Sequence, residues 1–165
     1  MSLKLNLGSG NRPLPGYINI DLHSQLANVK LDCSLPLPFS NDSIDEIYAM
    51  HLIEHFSLLE WPVIKKDWYR ILKPGGLLTI ECPDLDRCLQ RFLHNSQDRK
   101  WTYWIRAIYG SQDDNDPGQF HKNGFTLEKL SSDLKTEGFN ISGHEYLYYE
   151  TPDPDGFCLK MTAVK

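Results

Sequence analysis

The chain has 165 residues, 41% hydrophobic and 12% aromatic, and a formal net charge of -5. That composition excludes a disordered chain and disfavours a general nucleic-acid binder, which needs cations against phosphates. No apolar run approaches the ~20 residues of a membrane span, and one domain, 1–165, is expected at this length.

Leu3 to Leu7 reads as a first strand and runs into Gly8-Ser9-Gly10. Tyr17 to Asp21, Val29 to Asp32 and Asp45 to Met50 read as three further strands. Trp61 to Leu72 reads as a helix, with Ile64, Trp68, Ile71 and Leu72 on one face. Pro62 suits its first turn, where the missing N–H costs nothing. The helix stops at Lys73-Pro-Gly-Gly76, and Leu77 to Cys82 is a fifth strand. Asp84 is a candidate N-cap for a helix to about His94, with Leu85, Cys88, Leu89 and Phe92 on one side. Trp101 to Tyr109 is another helix. Thr126 caps Leu127 to Glu137, and Gly138 ends it. Ile141 to Tyr149 and Phe157 to Val164 should pair as an antiparallel hairpin through Thr151-Pro-Asp-Pro-Asp-Gly156. Strands alternating with helices imply an α/β layer with a largely parallel sheet.

Cys33, Cys82, Cys88 and Cys158 are scattered, and no signal peptide opens the chain. They read as reduced thiols in a cytoplasmic protein. Residues 31 to 64 hold no Lys or Arg, but do hold Asp32, Asp42, Asp45, Glu46, Glu54 and Glu60. Nine of the 17 basic residues lie between Lys65 and Arg106, which reads as a solvated helix face.

Gly8-Ser9-Gly10 lets the backbone turn tightly and approach a ligand closely. Asp21, at the end of the second strand, would sit beside that turn, where it can accept both hydroxyl protons of a ribose. Asp32 ends the third strand. Open α/β sheets bind ligands at this carboxyl edge. Alone, Gly-x-Gly is equally an ordinary turn. The third glycine of a dinucleotide fingerprint is replaced by Pro13, and no Gly-Lys-Ser/Thr cradle is present. A nucleoside site stays open, and a nicotinamide site is disfavoured.

Three runs then carry a family resemblance. They are Asp32-Cys-Ser-Leu-Pro-Leu-Pro-Phe39 to Asp45, Met50-His51-Leu-Ile-Glu54-His55, and Leu72-Lys-Pro-Gly-Gly76 leading into the next strand. With the glycine turn, they resemble the class I S-adenosylmethionine-dependent methyltransferases, over about Lys4 to Asp84. The resemblance implies a Rossmann-like, mostly parallel sheet with an antiparallel C-terminal hairpin. It implies S-adenosylmethionine as cofactor and no metal. It passes the methionine end of the cofactor along Gly8 and Gly10, and gives the ribose to Asp21. It gives the adenine amino group to Asp32 and the ring to the Cys33 N–H. Met50 and His51 would line the floor near the sulfonium. Asn6 stands where many members carry an acidic residue. Methyl transfer to a small-molecule or glycan acceptor is implied, with residues 85–124 as the substrate-side insertion. A cofactor-binding or scaffold protein without catalysis is the alternative.

The spacing departs from that pattern. Nine residues, 8 to 16, separate the first two strands, and seven, 22 to 28, separate the next pair. A parallel crossover normally takes a dozen or more. The helices after strands 1 and 2 are therefore expected to be shortened or missing. The exposed sheet face would be covered by Trp101 to Tyr109 or by a second copy in a homodimer.

His51-x-x-Glu54-His55 also matches an inverted zinc-protease motif. It follows a strand end, where the methyltransferase pattern already places Glu-His, so the zinc reading is set aside. His121 is the candidate general base, because a histidine titrates near neutrality. Asp84 is the second catalytic candidate, weighed against its role as a cap. Trp101 and Trp104 read as packing residues, and Asp113-Asp-Asn-Asp116 as a solvated run lacking metal-loop spacing.

Overall fold

The computed structural model describes residues 2–94, 101–111, 117–147 and 157–165. The turn at 151–156 and the run 113–116 lie outside the described residues, as do the side chains of Trp101 and Trp104.

Six strands form one sheet: β1 (Lys4–Leu7), β2 (Ile18–Ile20), β3 (Ile44–Met50), β4 (Leu72–Pro83), β5 (Asn140–Leu147) and β6 (Cys158–Val164). Their order is β2-β1-β3-β4-β6-β5. The pairs β1–β2, β1–β3 and β3–β4 are parallel, whereas β4–β6 and β5–β6 are antiparallel. The expected α/β sheet with its C-terminal hairpin is therefore present. Four helices accompany it: α1 (Trp61–Ile71), α2 (Leu85–His94), α3 (Trp101–Tyr109) and α4 (Leu127–Glu137). None is long and apolar enough to cross a membrane among the described residues.

The core follows the sequence pattern. Leu5, Leu7, Ile47, Ala49, Leu78 and Ile80 are fully buried in the central strands. They sit at every second position of each strand, so they face one side of the sheet. From α1, Ile64, Trp68 and Ile71 close over them. Trp61 meets Trp68 and Phe125 edge to face, at 5.8 and 5.4 Å between centroids. Each such pair adds about 0.5–1.5 kcal/mol beyond its buried area. Thr126 Oγ1 accepts from the Lys129 N–H at 3.2 Å, as the cap of α4 should. Gly138 ends α4 at φ 108°. A Cβ there would meet the Tyr69 hydroxyl at 2.9 Å, so both conformation and space require glycine.

Two expectations are corrected. Val29 to Asp32 makes no strand. It keeps one parallel bridge, Ile20 with Val29. Asp32 instead starts a turn, its carbonyl accepting from the Leu35 N–H at 3.2 Å and its Oδ1 from the Ser34 N–H at 2.8 Å. A side-chain oxygen that bonds its own backbone two residues on competes with a ladder. Lys73-Pro-Gly-Gly76 is not a loop but the first part of β4. Leu72 pairs with Ile44, the register shifts, and pairing resumes at Leu77 with Glu46. α3 packs on α2, so the aromatic stretch finds a helix partner.

No helix follows β1 or β2. Side-chain amides hold the short connections instead. Asn6 Nδ2 donates to the Arg12 carbonyl at 3.1 Å and to Asn19 Oδ1 at 2.8 Å. Asn19 Oδ1 also accepts from the Leu14 N–H at 2.7 Å. Asn19 Nδ2 donates to the Leu14 carbonyl and to Asn28 Oδ1, at 3.2 and 3.0 Å. Asn28 Oδ1 accepts from the Asn19 N–H at 2.9 Å as well. Between β2 and β3, Arg70 does similar work. Its guanidinium donates to the Leu37 and Phe39 carbonyls and to the side chains of Asn41 and Asp67, at 2.8–3.1 Å.

Two stability predictions follow from these anchors. Asn6→Asp should lose about 1–3 kcal/mol at neutral pH, because a carboxylate would face two acceptors where two N–H donors now sit. Denaturant melts at pH 7 check it; an unchanged midpoint would refute the amide anchor. Arg70→Lys keeps the charge but not the planar fork, and should cost about 1–3 kcal/mol. It should lower the midpoint of a urea melt with little change in slope.

Candidate functional site

A cleft of about 1020 Å³ opens at the carboxyl ends of β1, β2 and β3. This is the edge where open α/β sheets bind ligands, because the strand-end loops converge there. Of the cofactor candidates from the sequence, all eight line it: Asn6, Gly8, Gly10, Asp21, Asp32, Cys33, Met50 and His51. The two catalytic candidates, Asp84 and His121, are not among its lining residues.

The glycine turn is built as its composition requires. Gly8 and Gly10 take φ 63° and 48°, which only glycine adopts without strain. A Cβ on Gly8 would lie 2.8 Å from Leu52 Cδ1, whereas one on Gly10 would enter open space. Asp21 holds the turn from below. Its Oδ2 accepts from the Gly10 N–H at 2.8 Å, and its Oδ1 from the N–H groups of His23 and Ser24 at 2.8 and 2.7 Å. Burial alone would raise the Asp21 pKa, but these three bonds outweigh it and the net shift is downward. Asp32 is also held below the usual range, by the Ser34 hydroxyl and N–H. Two ionised carboxylates therefore share one wall of the cleft. Cys33 is different: burial pushes its thiol up to about 12, so it is a neutral group against the Gly8 backbone.

The floor comes from the end of β3. Met50 lies 3.7 Å from Arg12 Nη1. His51 sits at φ 49°, an uncommon conformation for a side chain with Cβ, with its N–H donated to the Glu81 carbonyl at 2.8 Å. Its Nδ1 faces Glu54 Oε1 at 3.1 Å, and its Nε2 lies 3.8 Å from Cys158 Sγ. Tyr48 lines the cleft and donates to Glu81 Oε1 at 2.7 Å. Burial, first, and that carboxylate keep its phenol well above the ordinary value.

Asp84 is 2% exposed and caps α2, its Oδ1 accepting from the Arg87 N–H at 3.0 Å. Burial raises its pKa. His121 meets His55 edge to face, with centroids 5.0 Å apart. Burial lowers its pKa, against the pull of Glu54.

Ser9, Arg12, Tyr48 and Lys122 line the cleft without having been predicted, and His55, weighed only as part of a zinc motif, lines it too. Ser9 was legible as the middle of Gly-x-Gly. Lys122 was not, because only the tertiary fold returns 117–124 to the cleft. Ser9 Oγ is buried without a hydrogen-bond partner among the described residues.

Residues 17–80 match the methyltransferase domain family. No curated protein matches the chain significantly. Solved structures do. An S-adenosylmethionine-dependent methyltransferase from Thermotoga maritima is 17% identical, with a TM-score of 0.68 over 100% of this chain and 83% of its own. One from Methanosarcina mazei is 19% identical, with a TM-score of 0.67 over 98% of this chain and 91% of its own. The 1,6-didemethyltoxoflavin-N1-methyltransferase of Burkholderia thailandensis, which holds its substrate and S-adenosylhomocysteine, is 15% identical, with a TM-score of 0.66 over 99% and 71%. The shared architecture gives this chain the fold of those S-adenosylmethionine-dependent methyltransferases, and the matched segment is similar to their domain.

Proposed function

We propose that the protein transfers a methyl group from S-adenosylmethionine to a small-molecule or glycan acceptor. One observation carries this reading: a positive-φ glycine turn and two ionised carboxylates line one cleft at the ends of adjacent parallel strands. The matched domain family and the fold support it.

The residues present fit the cofactor. Ser9 Oγ is a buried polar atom in want of a partner beside the glycine turn. A carboxylate offers about four acceptor sites. Asp21 uses three on backbone N–H groups, which leaves one for a ribose hydroxyl. Asp32 Oδ1 is held by Ser34, which orients the carboxylate for the adenine amino group. Cys33 offers its N–H to the ring. Gly8 and Gly10 pass the methionine end, near Asn6. Arg12 and Lys122 are the fixed cations of the lining and suit anionic groups of cofactor or acceptor. The cofactor supplies a sulfonium-bound methyl group.

The chain's own task is then positional. Met50 and His51 line the cleft at the end of β3, and Gly118, Gln119 and Lys122 line it from the 85–124 segment assigned to the acceptor. Holding a nucleophile in line at ~3–3.5 Å supplies several kcal/mol of a transfer barrier. The proton-transfer candidates His121 and Asp84 stand outside the lining, so this reading rests on positioning and not on a general base. The same placement favours the second reading, a cofactor-binding subunit without catalysis. A cytoplasmic location belongs to the proposal, as does a second copy over the under-covered sheet face. A monomer in sedimentation would remove that copy and leave the cofactor site untouched.

Calorimetry with S-adenosylhomocysteine tests the site directly. One-to-one binding is expected, and Asp32→Ala should weaken it about 10- to 150-fold, the loss of one charge-assisted hydrogen bond. No binding to the wild-type chain would overturn methyl transfer and leave only a scaffold role. Binding without turnover of methyl donor against a metabolite and glycan panel would select the second.

A further inference from the structure

Glu54, His55 and His121 come from two distant segments, yet one potential ligand atom from each lies within 4.8 Å of the others. Main-chain bonds create the meeting. The N–H groups of Lys122 and Asn123 both donate to the Glu54 carbonyl, at 2.8 and 3.1 Å, and the His121 N–H donates to the Tyr109 carbonyl at 3.0 Å. The segment carrying His121 is thus docked onto the short 3-10 turn Ile53–His55.

Glu54 is 2% exposed. Its Oε1 faces His51 Nδ1, but its Oε2 is buried with no hydrogen-bond partner among the described residues. A buried carboxylate oxygen left unpaired is costly, and native structures rarely keep one without a use. The two imidazoles carry a matching feature. His55 Nδ1 sits 3.2 Å from the Phe120 carbonyl, and the His121 ring hydrogen-bonds the Ala107 backbone. A ring N–H given to a carbonyl leaves the other nitrogen with a lone pair, which is how metal-binding histidines are oriented.

We propose that Glu54, His55 and His121 bind one first-row divalent cation, with Zn²⁺ the favoured ion. Two imidazoles and one carboxylate suit zinc, whereas Mg²⁺ prefers oxygen ligands alone. Donors around zinc stand ~3.4 Å apart, so the cluster must close by on the order of 1 Å, within reach of side-chain rotation. His51 is not a ligand here. It orients Glu54 from the other oxygen, so the motif His51-x-x-Glu54-His55 closes on a cation through a third residue that no local spacing reveals. Three protein ligands leave a position for water or another oxygen ligand. His55 lines the cleft, so the cation would sit at its wall beside Gly118, Gln119 and Lys122.

The site is tested without cofactor or acceptor, so its failure is separate from failure of the methyl-transfer reading. The full chain is stripped with chelator and titrated with Zn²⁺ and Mg²⁺ by calorimetry, and with Co²⁺ by visible absorption. One equivalent of Zn²⁺ should bind at least 100-fold more tightly than Mg²⁺, and Co²⁺ should give the absorption bands of a four- or five-coordinate site. Glu54→Gln and His121→Ala should each weaken Zn²⁺ at least tenfold, while His144→Ala on β5 should not; circular dichroism checks that each variant is folded. If Glu54→Gln unfolds, His121→Ala carries the test, since its ring enters from the docked segment. The proposal is overturned if Zn²⁺ shows no saturable one-to-one binding, or if folded His121→Ala binds it as the wild type does.

Discussion

The two donor protons of the Asn6 amide constrain everything around the cleft. With only ten residues between β1 and β2, the chain has no helix to take up the backbone groups of 11–17. Asn6 and Asn19 are paired neighbours on parallel strands, and their amides do that work from inside the sheet edge. A carboxylate at position 6 would be all acceptor. It could not meet both the Arg12 carbonyl and Asn19 Oδ1. The missing helix and the missing acidic residue are therefore one adaptation. An amide replaces a charge because the shortened connection requires donors.

The same economy puts Asp21 to two uses. In folding, it accepts three backbone N–H groups and pins the glycine turn to the end of β2. Those bonds also keep it ionised and fix its orientation at the cleft. A helix N-terminus would ordinarily follow such a turn and contribute its own N–H groups. Here the turn is supported by a side chain, so the electrostatics of the cleft are set by carboxylates rather than by a helix dipole.

Much of this was legible because it rests on local chemistry. The helix faces, the Thr126 and Gly138 caps, the positive-φ glycines and the carboxyl-edge acids follow from periodicity and backbone sterics. The short spacings announced the missing helices. What failed depended on tertiary context. Val29 to Asp32 has a strand's composition, but the turn chemistry of Asp32 and Ser34 wins after one bridge. Lys73-Pro-Gly-Gly76 has loop composition, yet Ile44 on one side and Lys165 on the other hold it in the sheet. Asp84 and His121 were chosen by residue type and loop position, and neither criterion says which way a side chain faces. Ser9 is legible as the middle of Gly-x-Gly, but the burial of its unpaired hydroxyl belongs to the tertiary fold.

Glu54 shows how a single residue joins these levels. Its backbone carbonyl anchors the returning segment 122–123, and its carboxylate gathers His51, His55 and His121. Burial alone would raise its pKa, but the His51 bond and the three imidazoles reverse that shift. The end of β3 at His51 and the segment returning at 118–123 thus meet at one buried carboxylate. Any change in the charge around Glu54 would be felt at two places at once, through His51 at the end of β3 and through the docked segment. A cation held there would tie the geometry of the acceptor side to the end of β3, in a fold that has already given up two helices of support.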